Sequence, residues 1–152
     1  MGKVSLNAQI REQKGKGAAR KLRRDKRIPA IFYGSECTPM MLAVESRELE
    51  RIVDRSYSDS FILDLRVTSD KGTETKKAML KELQVDPAKG TYLHADFYEI
   101  SMEREITLGI PIQLMNTPVG ASNGGILQQI RRELTVSCLP DSIVDSLEVD
   151  VS

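Results

Sequence analysis

The sequence predicts a mainly β protein with short helices, organised as two units. Apolar and polar residues alternate with a period of two in several stretches, which is typical of half-buried strands. Turn residues separate these stretches, and only two stretches space their apolar residues as an amphipathic helix does. From about residue 101 onward the chain contains only alternating stretches and a loop rich in Gly, Pro, Ser and Asn. This change of character predicts a second, all-β unit.

In the first unit, the strands are predicted from alternation, from short apolar runs and from the turn residues between them. They cover residues 4–11, 28–34, 40–44, 61–67, 78–85 and 91–100. A short helix is predicted over 18–24, with its small and apolar side chains turned inward. A second helix is predicted over 47–55, with Ser46 as its N-cap and with Leu49, Ile52 and Val53 facing inward.

The second unit is predicted from alternation over residues 106–114, 134–138 and 147–151, with a loop at 116–125. The last of these stretches runs to the terminal Ser152 without a closing turn. We therefore expect this unit, residues 101–152, to be incomplete.

Length and composition bound the possible functions. With 152 residues, 40% hydrophobic and 29% charged, the chain suits one ordinary domain or two small ones in a soluble protein. No window approaches the eighteen or so apolar residues that a membrane span needs. Cys37 and Cys138 lack flanking ligands at metal-binding spacing, and His94 is the only histidine. We expect a cytoplasmic protein that is not an enzyme and that has no cofactor, metal or membrane partner.

Positive charge is concentrated in one segment of a chain whose net charge is zero. Residues 1–27 contain ten basic and two acidic residues, and eight of the fourteen residues in 14–27 are basic. Such a run is often a solvated or disordered arm. Here Gly15 and Gly17 favour a tight backbone that turns amides toward an anion, and the helix that follows would add its positive end. The segment therefore predicts a folded phosphate-binding element, although no Gly-Lys-Ser/Thr follows as in a Walker loop.

The stretch 91–100 has two different faces. Leu93, Ala95 and Phe97 form an ordinary core face. The other face combines aromatic and hydrogen-bonding groups that suit a nucleic acid or another protein. It is composed of Tyr92, His94, Asp96 and Tyr98. A surface histidine without a special role is the alternative, because nothing nearby supplies further metal ligands or a nucleophile.

Several segments together resemble a known bacterial family. They are KGKGAARKLRRDKRIPAIFYG, LQVDPAKG and LHADF. The family is formed by the twenty-fifth protein of the large ribosomal subunit and the general stress protein CTC. The later segments GGILQQIRRELTVSCLP and LEVDVS resemble the C-terminal domain of its longer members. Departures are Lys26, where many relatives have a small residue, and the segment 35–37, which is often basic.

The resemblance implies an N-terminal β-barrel, residues 1–100, that binds 5S rRNA at its irregular internal loop E. The C-terminal β-domain is then expected to contact neighbouring ribosomal proteins, or rRNA locally through Arg131 and Arg132. The same fold serving away from ribosomes, as a free stress-induced RNA-binding or protein-interaction factor, is the alternative. Co-sedimentation with large subunits distinguishes the two.

The resemblance also implies which residues meet the RNA. Basic residues would contact phosphates and groove edges, and polar residues of the sheet would face the groove. Asp96 beside phosphate is unfavourable alone, so we expect it to accept from a ribose hydroxyl or base amine, or to orient His94 or an arginine. The implied contacts are Arg11, Lys14, Lys16, Arg20, Lys21, Arg23, Arg24, Tyr33, Gln84, His94 and Asp96.

Overall fold

Six strands of the first unit close into a barrel. The structure, a computed structural model, describes residues 4–56 and 61–152, and the chain divides into the units Met1–Ser101 and Met102–Ser152. Around the barrel the strand order is β1-β3-β2-β6-β5-β4, with β1–β4 and β2–β6 parallel and the other pairs antiparallel. The strands are β1 (Ser5–Ile10), β2 (Arg27–Tyr33), β3 (Met40–Glu45), β4 (Ile62–Ser69), β5 (Gly72–Val85) and β6 (Tyr92–Glu99). The predicted fold class is confirmed.

The barrel interior is filled by the apolar side of every strand. Successive side chains of a strand point to opposite faces, so the alternation in the sequence separates an inner set from an outer set. Phe32, Leu65 and Phe97 are fully buried, and full burial of such a side chain is worth about 1.5–3 kcal/mol. The outer set is thereby available for other contacts.

Helix α2 (Ser46–Arg55) packs Leu49 and Ile52 into the barrel core. Its N-cap is the extended residue Glu45, so the expectation of a Ser46 cap is wrong. Ser46 is instead the first helical residue, and its hydroxyl donates to the Glu50 carboxylate at 2.8 Å. The Asn7 side-chain amide in β1 donates to the Glu48 carboxylate at 3.0 Å, which ties α2 to the barrel.

Helix α1 (Lys16–Arg24) begins two residues earlier than predicted. Gly15 takes the N-cap position with a φ of 95°, and its carbonyl accepts from the Ala19 amide at 3.1 Å. Because only glycine adopts this conformation readily, it sets where the helix starts. The helix contacts β2, and Ala18, Ala19 and Leu22 are half-buried as predicted.

The second unit is a three-stranded sheet of order β8-β7-β9. Its strands are β7 (Ile106–Met115), β8 (Glu133–Cys138) and β9 (Leu147–Asp150). β8 is antiparallel to β7 and β9 is parallel to it. The predicted loop at 116–125 contains a single helical turn, α3 (Val119–Ser122). Among the described residues of both units, no helix is long and apolar enough to cross a membrane.

Lys26 links α1 to β2 in a left-handed conformation, with a φ of 60°, and its carbonyl accepts from the Ser46 amide. This conformation costs a non-glycine residue roughly 1–2 kcal/mol. Glycine would remove this strain, but it would also raise the conformational entropy of the unfolded chain, which offsets part of the gain in stability. We expect Lys26→Gly to raise the free energy of unfolding by about 0.5–1 kcal/mol in urea titrations. Lys26→Ala keeps the strain and should bring no gain; an equal gain in both variants would assign the effect to the lost charge.

Candidate nucleic-acid interface

The outer surface of β5 and β6, with the end of β2, carries a group of polar and aromatic side chains. Ala95 and Phe97 lie in the core, so the alternating residues of β6 face outward. Strand register sets their neighbours: Gln84 is opposite His94, Glu82 is opposite Asp96, and Tyr33 is opposite Tyr98. We call this group the polar face: Tyr33, Lys81, Glu82, Gln84, His94, Asp96 and Tyr98.

His94 and Asp96 form a hydrogen-bonded pair on the polar face. The His94 Nδ1 lies 2.7 Å from the Asp96 Oδ1, and each side chain is 27% exposed. The carboxylate oxygen accepts, so the imidazole hydrogen in this contact lies on Nδ1. The pair therefore holds the imidazole ring in one orientation. Of the roles expected for Asp96, orienting His94 is the one that this geometry provides.

A second cluster on the polar face combines two tyrosines and a lysine. The Tyr33 and Tyr98 rings meet edge to face, with centroids 5.6 Å apart and an interplanar angle of 76°. The Lys81 Nζ lies 5.2 Å from the Tyr98 centroid and 5.9 Å from that of Tyr33, within cation–π range. The cluster thus presents a cation held against an aromatic surface.

The sequence does not indicate that Lys81 belongs to the polar face, because a bulge determines its position. The register of β5 against β6 shifts between Leu80 and Glu82, which leaves Lys81 as the extra residue of the strand. Such a bulge redirects a side chain without altering the composition of the strand. The local signal in the sequence is a basic residue directly after the apolar run Ala78-Met79-Leu80.

Helix α1 is tied to β6 beside the polar face. The Arg23 guanidinium donates from Nε and Nη2 to the Leu93 carbonyl, at 3.1 and 3.0 Å. Leu93 immediately precedes His94, so this contact brings the basic helix to the strand that carries the pair. The other basic residues predicted for this region are exposed. They are Lys14, Lys16, Arg20, Lys21 and Arg24.

Arg11 is engaged by the protein itself. Its Nε donates to the Leu42 carbonyl at 3.0 Å and its Nη1 donates to the Gln13 carbonyl at 2.9 Å. Burial lowers the pKa of the Arg11 guanidinium from its usual value, although it stays charged. Arg11 therefore fixes the loop that leads to Lys14.

Lys21 lies on a flank of α1 that borders an open cleft of roughly 970 Å³. The end of β1, the helix and the turn between β4 and β5 form its walls. The charged residues that line it are of both signs, so the cleft differs from a phosphate-binding groove. They are Arg11, Glu12, Lys21, Asp25, Asp70 and Lys71.

Tyr92 does not belong to the polar face, contrary to the expectation from alternation. It packs partly buried against the core. Burial, and then the carboxylates of Asp54 and Glu50, raise the pKa of the Tyr92 hydroxyl. These carboxylates lie on α2, so Tyr92 lies on the side of the barrel near that helix. The register shift between Gln84 and Val85 accompanies this change of side at the start of β6.

Within residues 4–56 and 61–152, no three His, Cys, Asp or Glu side chains converge in a way that could hold a metal ion. Burial, and then a hydrogen bond to the Glu99 carboxylate, raise the pKa of the Cys37 thiol. A thiol with a raised pKa is a poor nucleophile and a poor metal ligand. The groups of the polar face are instead suited to donating, accepting and stacking.

A small barrel with a basic helix beside a polar sheet face is an arrangement suited to binding a polyanion such as RNA. Comparison with known proteins identifies the family. The model described as "Ribosomal L25p family" matches residues 6–97, and that described as "Ribosomal protein TL5, C-terminal domain" matches residues 105–152. The chain belongs to the ribosomal L25p family, as its resemblance predicted.

Individual relatives are similar over nearly the whole chain, and each is named large ribosomal subunit protein bL25. The protein from Syntrophobacter fumaroxidans is 40% identical over 98% of this chain and 75% of its own length. That from Halothermothrix orenii is 40% identical over 100% of this chain and 68% of its own length. That from Natranaerobius thermophilus is 38% identical over 100% of this chain and 69% of its own length.

The contact between His94 and Asp96 can be tested in the protein without a ligand. Removing the acceptor with Asp96→Ala should shift the neutral imidazole away from the Nδ1-protonated tautomer, because the carboxylate that stabilises it is lost. Imidazole ¹⁵N chemical shifts report the tautomer, and His94 is the only histidine in the chain. Glu82→Gln, on the neighbouring strand, is the control and should leave the tautomer unchanged. An unaltered spectrum in Asp96→Ala would contradict the pairing.

Proposed function

We propose that this protein is a structural component of the large ribosomal subunit that binds 5S rRNA at loop E through α1 and the polar face. The relatives that bear the name large ribosomal subunit protein bL25 support the ribosomal role. The family resemblance supports 5S rRNA as the ligand. On this proposal the protein acts in the cytoplasm with the ribosome and is not an enzyme. The observation that carries the proposal is the His94–Asp96 pair, 2.7 Å apart and adjacent to the basic helix.

The division of charge supports RNA as the ligand. Residues 1–27 carry ten of the 22 basic residues in a chain of zero net charge, and five of the ten lie on α1, beside the polar face. A-form RNA hides its base edges in a deep major groove and is read through phosphates, 2′-hydroxyls and the shape of its shallow groove. The helix provides cations for phosphates, and the polar face provides donors and acceptors for hydroxyls and bases.

Each predicted contact has a distinct part in the proposal. Arg20 and Arg24 lie four residues apart on the exposed side of α1 and meet phosphates together with Lys14 and Lys16. Lys21, on the flank of the helix beside the cleft, adds positive charge to the same RNA-binding surface. Arg11 contributes by holding the loop before Lys14, through its bond to the Gln13 carbonyl. The remaining contacts fix register in the groove, and Lys81 joins them. They are Tyr33, Gln84, His94 and Asp96, with Arg23 considered separately below.

Residues 1–100 form the RNA-binding domain on this proposal, and residues 101–152 form a C-terminal domain with different partners. The latter segment has three basic and seven acidic residues, which disfavours extensive RNA binding. Ile126 is 94% exposed and Ile130 is 88% exposed. Exposed apolar side chains of this size favour contacts with neighbouring large-subunit proteins, with Arg131 and Arg132 available to rRNA locally.

His94→Ala should weaken binding to a loop E fragment about tenfold while affecting a plain RNA duplex of equal length much less. The reason is that a hydrogen bond to a distorted groove is lost, whereas phosphate contacts remain. Affinity titrations on both RNAs measure the difference, and thermal unfolding verifies the fold. Equal losses on the two RNAs would show that His94 has no part in selecting loop E.

Arg20→Ala should lower affinity and make the dependence of log affinity on log salt shallower by somewhat under one unit. This is the change expected when one phosphate contact and its released counterion are lost. Arg51→Ala, an exposed change on α2, is the matched control and should alter neither quantity. If Arg20→Ala retained the wild-type slope and affinity, Arg20 would lie outside the interface.

A further inference from the structure

We infer that Arg23 is a positioning residue that holds α1 in place against the His94 strand, rather than a phosphate contact. The family resemblance assigns Arg23 to the basic set that meets phosphates, so this inference changes its role. The effect of this role on RNA binding rests on the proposed function. The contact between Arg23 and the Leu93 carbonyl is present in the protein without RNA.

The first support is the geometry of the guanidinium. Arg23 donates from Nε and Nη2 to one acceptor, the Leu93 carbonyl, at 3.1 and 3.0 Å across 70 residues of sequence. This is the Nε–Nη2 edge of the guanidinium, one of the edges that arginine presents to a phosphate in a bidentate contact. With that edge engaged by backbone, the side chain is directed along the protein surface toward β6.

The second support is the position of Leu93 in the sheet. The pairing of β2 with β6 begins at Ala30 and Ala95, and the residue before Ala30 is Pro29. Proline has no amide hydrogen and cannot donate to a neighbouring strand. Leu93 therefore lies just beyond the start of this ladder, where the arginine of the adjacent helix supplies donors to its carbonyl. Arg23 of α1 thus supplies hydrogen bonds to β6 at a point where Pro29 of β2 cannot donate one.

The third support is what the contact connects. One side is α1, whose exposed Arg20 and Arg24 are proposed to meet phosphates. The other side is one residue from His94, whose imidazole is already oriented by Asp96. Since the apolar side of α1 consists only of small residues and Leu22, packing alone constrains the helix weakly. Arg23 thus sets the spacing between the phosphate contacts and the groove contacts.

The test compares Arg23 with Arg51, an exposed arginine of α2 that lies outside the proposed interface. Arg23→Lys keeps the positive charge but loses the two-donor contact with one carbonyl, and Arg51→Lys is the matched control. Using the full chain, we expect Arg23→Lys to lower affinity for a loop E fragment by roughly five- to tenfold, with the salt slope and the duplex affinity unchanged. Arg51→Lys should leave all three quantities close to the wild type.

A charge-removing pair completes the design. Arg24→Gln should make the salt slope shallower by somewhat under one unit on both RNAs, whereas Arg23→Gln should reproduce the loss seen in Arg23→Lys without changing the slope. If Arg23→Lys binds like the wild type while Arg23→Gln reduces the slope, Arg23 is a phosphate contact and the inference is overturned.

A measurement without RNA separates this inference from the proposed function. Hydrogen exchange of the amides in residues 20–24 should be several-fold faster in Arg23→Lys than in the wild type or in Arg24→Lys, because the helix loses its attachment to β6. Unchanged exchange would overturn the positioning role even if RNA binding changed. A wild-type protein that did not prefer loop E to duplex would instead refute the proposed function, while the exchange result would still decide whether Arg23 fixes the helix.

Discussion

The closure of the barrel is the constraint on which the other features of the first unit depend. Each strand must place one side chain of every two inside, and the fully buried Phe32, Leu65 and Phe97 show how completely those positions are occupied. The outward positions are thereby fixed in register without having to stabilise the fold. His94 and Asp96 are two residues apart on such a surface, and this spacing lets their side chains meet at 2.7 Å. A rigid sheet thus presents a hydrogen-bonding pattern at low entropic cost on binding.

Helix α1, unlike the barrel strands, has no fully buried side chain. It exposes most of its side chains, so it contributes charge more than stability. Its orientation comes from its two ends and one side chain. Gly15 determines where it starts, Lys26 turns the chain into β2, and Arg23 attaches it to β6. Electrostatic attraction alone would not require a helix in this place, but a ligand that is read by shape does require its phosphate contacts at a set distance from the sheet.

Much of this organisation follows from the sequence, because it depends on periodicity and composition. The alternation in 4–11 and 91–100, the clustered charge of 14–27 and the inward Ala18 and Leu22 are all local patterns. What the sequence could not show depends on register and on distant partners. The bulge at Lys81 shifts pairing by one residue, and the displacement of Tyr92 toward α2 depends on a helix about forty residues earlier. Arg23 looks like its basic neighbours until its acceptor, 70 residues away, is known.

The two parallel pairings of the barrel have a consequence for synthesis on the ribosome. β1 pairs with β4, and β2 pairs with β6. The strands near the N-terminus therefore cannot complete their pairing until partners much later in the chain have been translated. Folds with such distant pairings have high contact order and form slowly, since loop-closure entropy opposes them until the late strands arrive. The carbonyl that holds Arg23 also belongs to the last of these strands. A nascent chain would therefore carry its positive charge long before its surface is ordered, so the RNA-binding surface proposed here would be complete only once the barrel has closed.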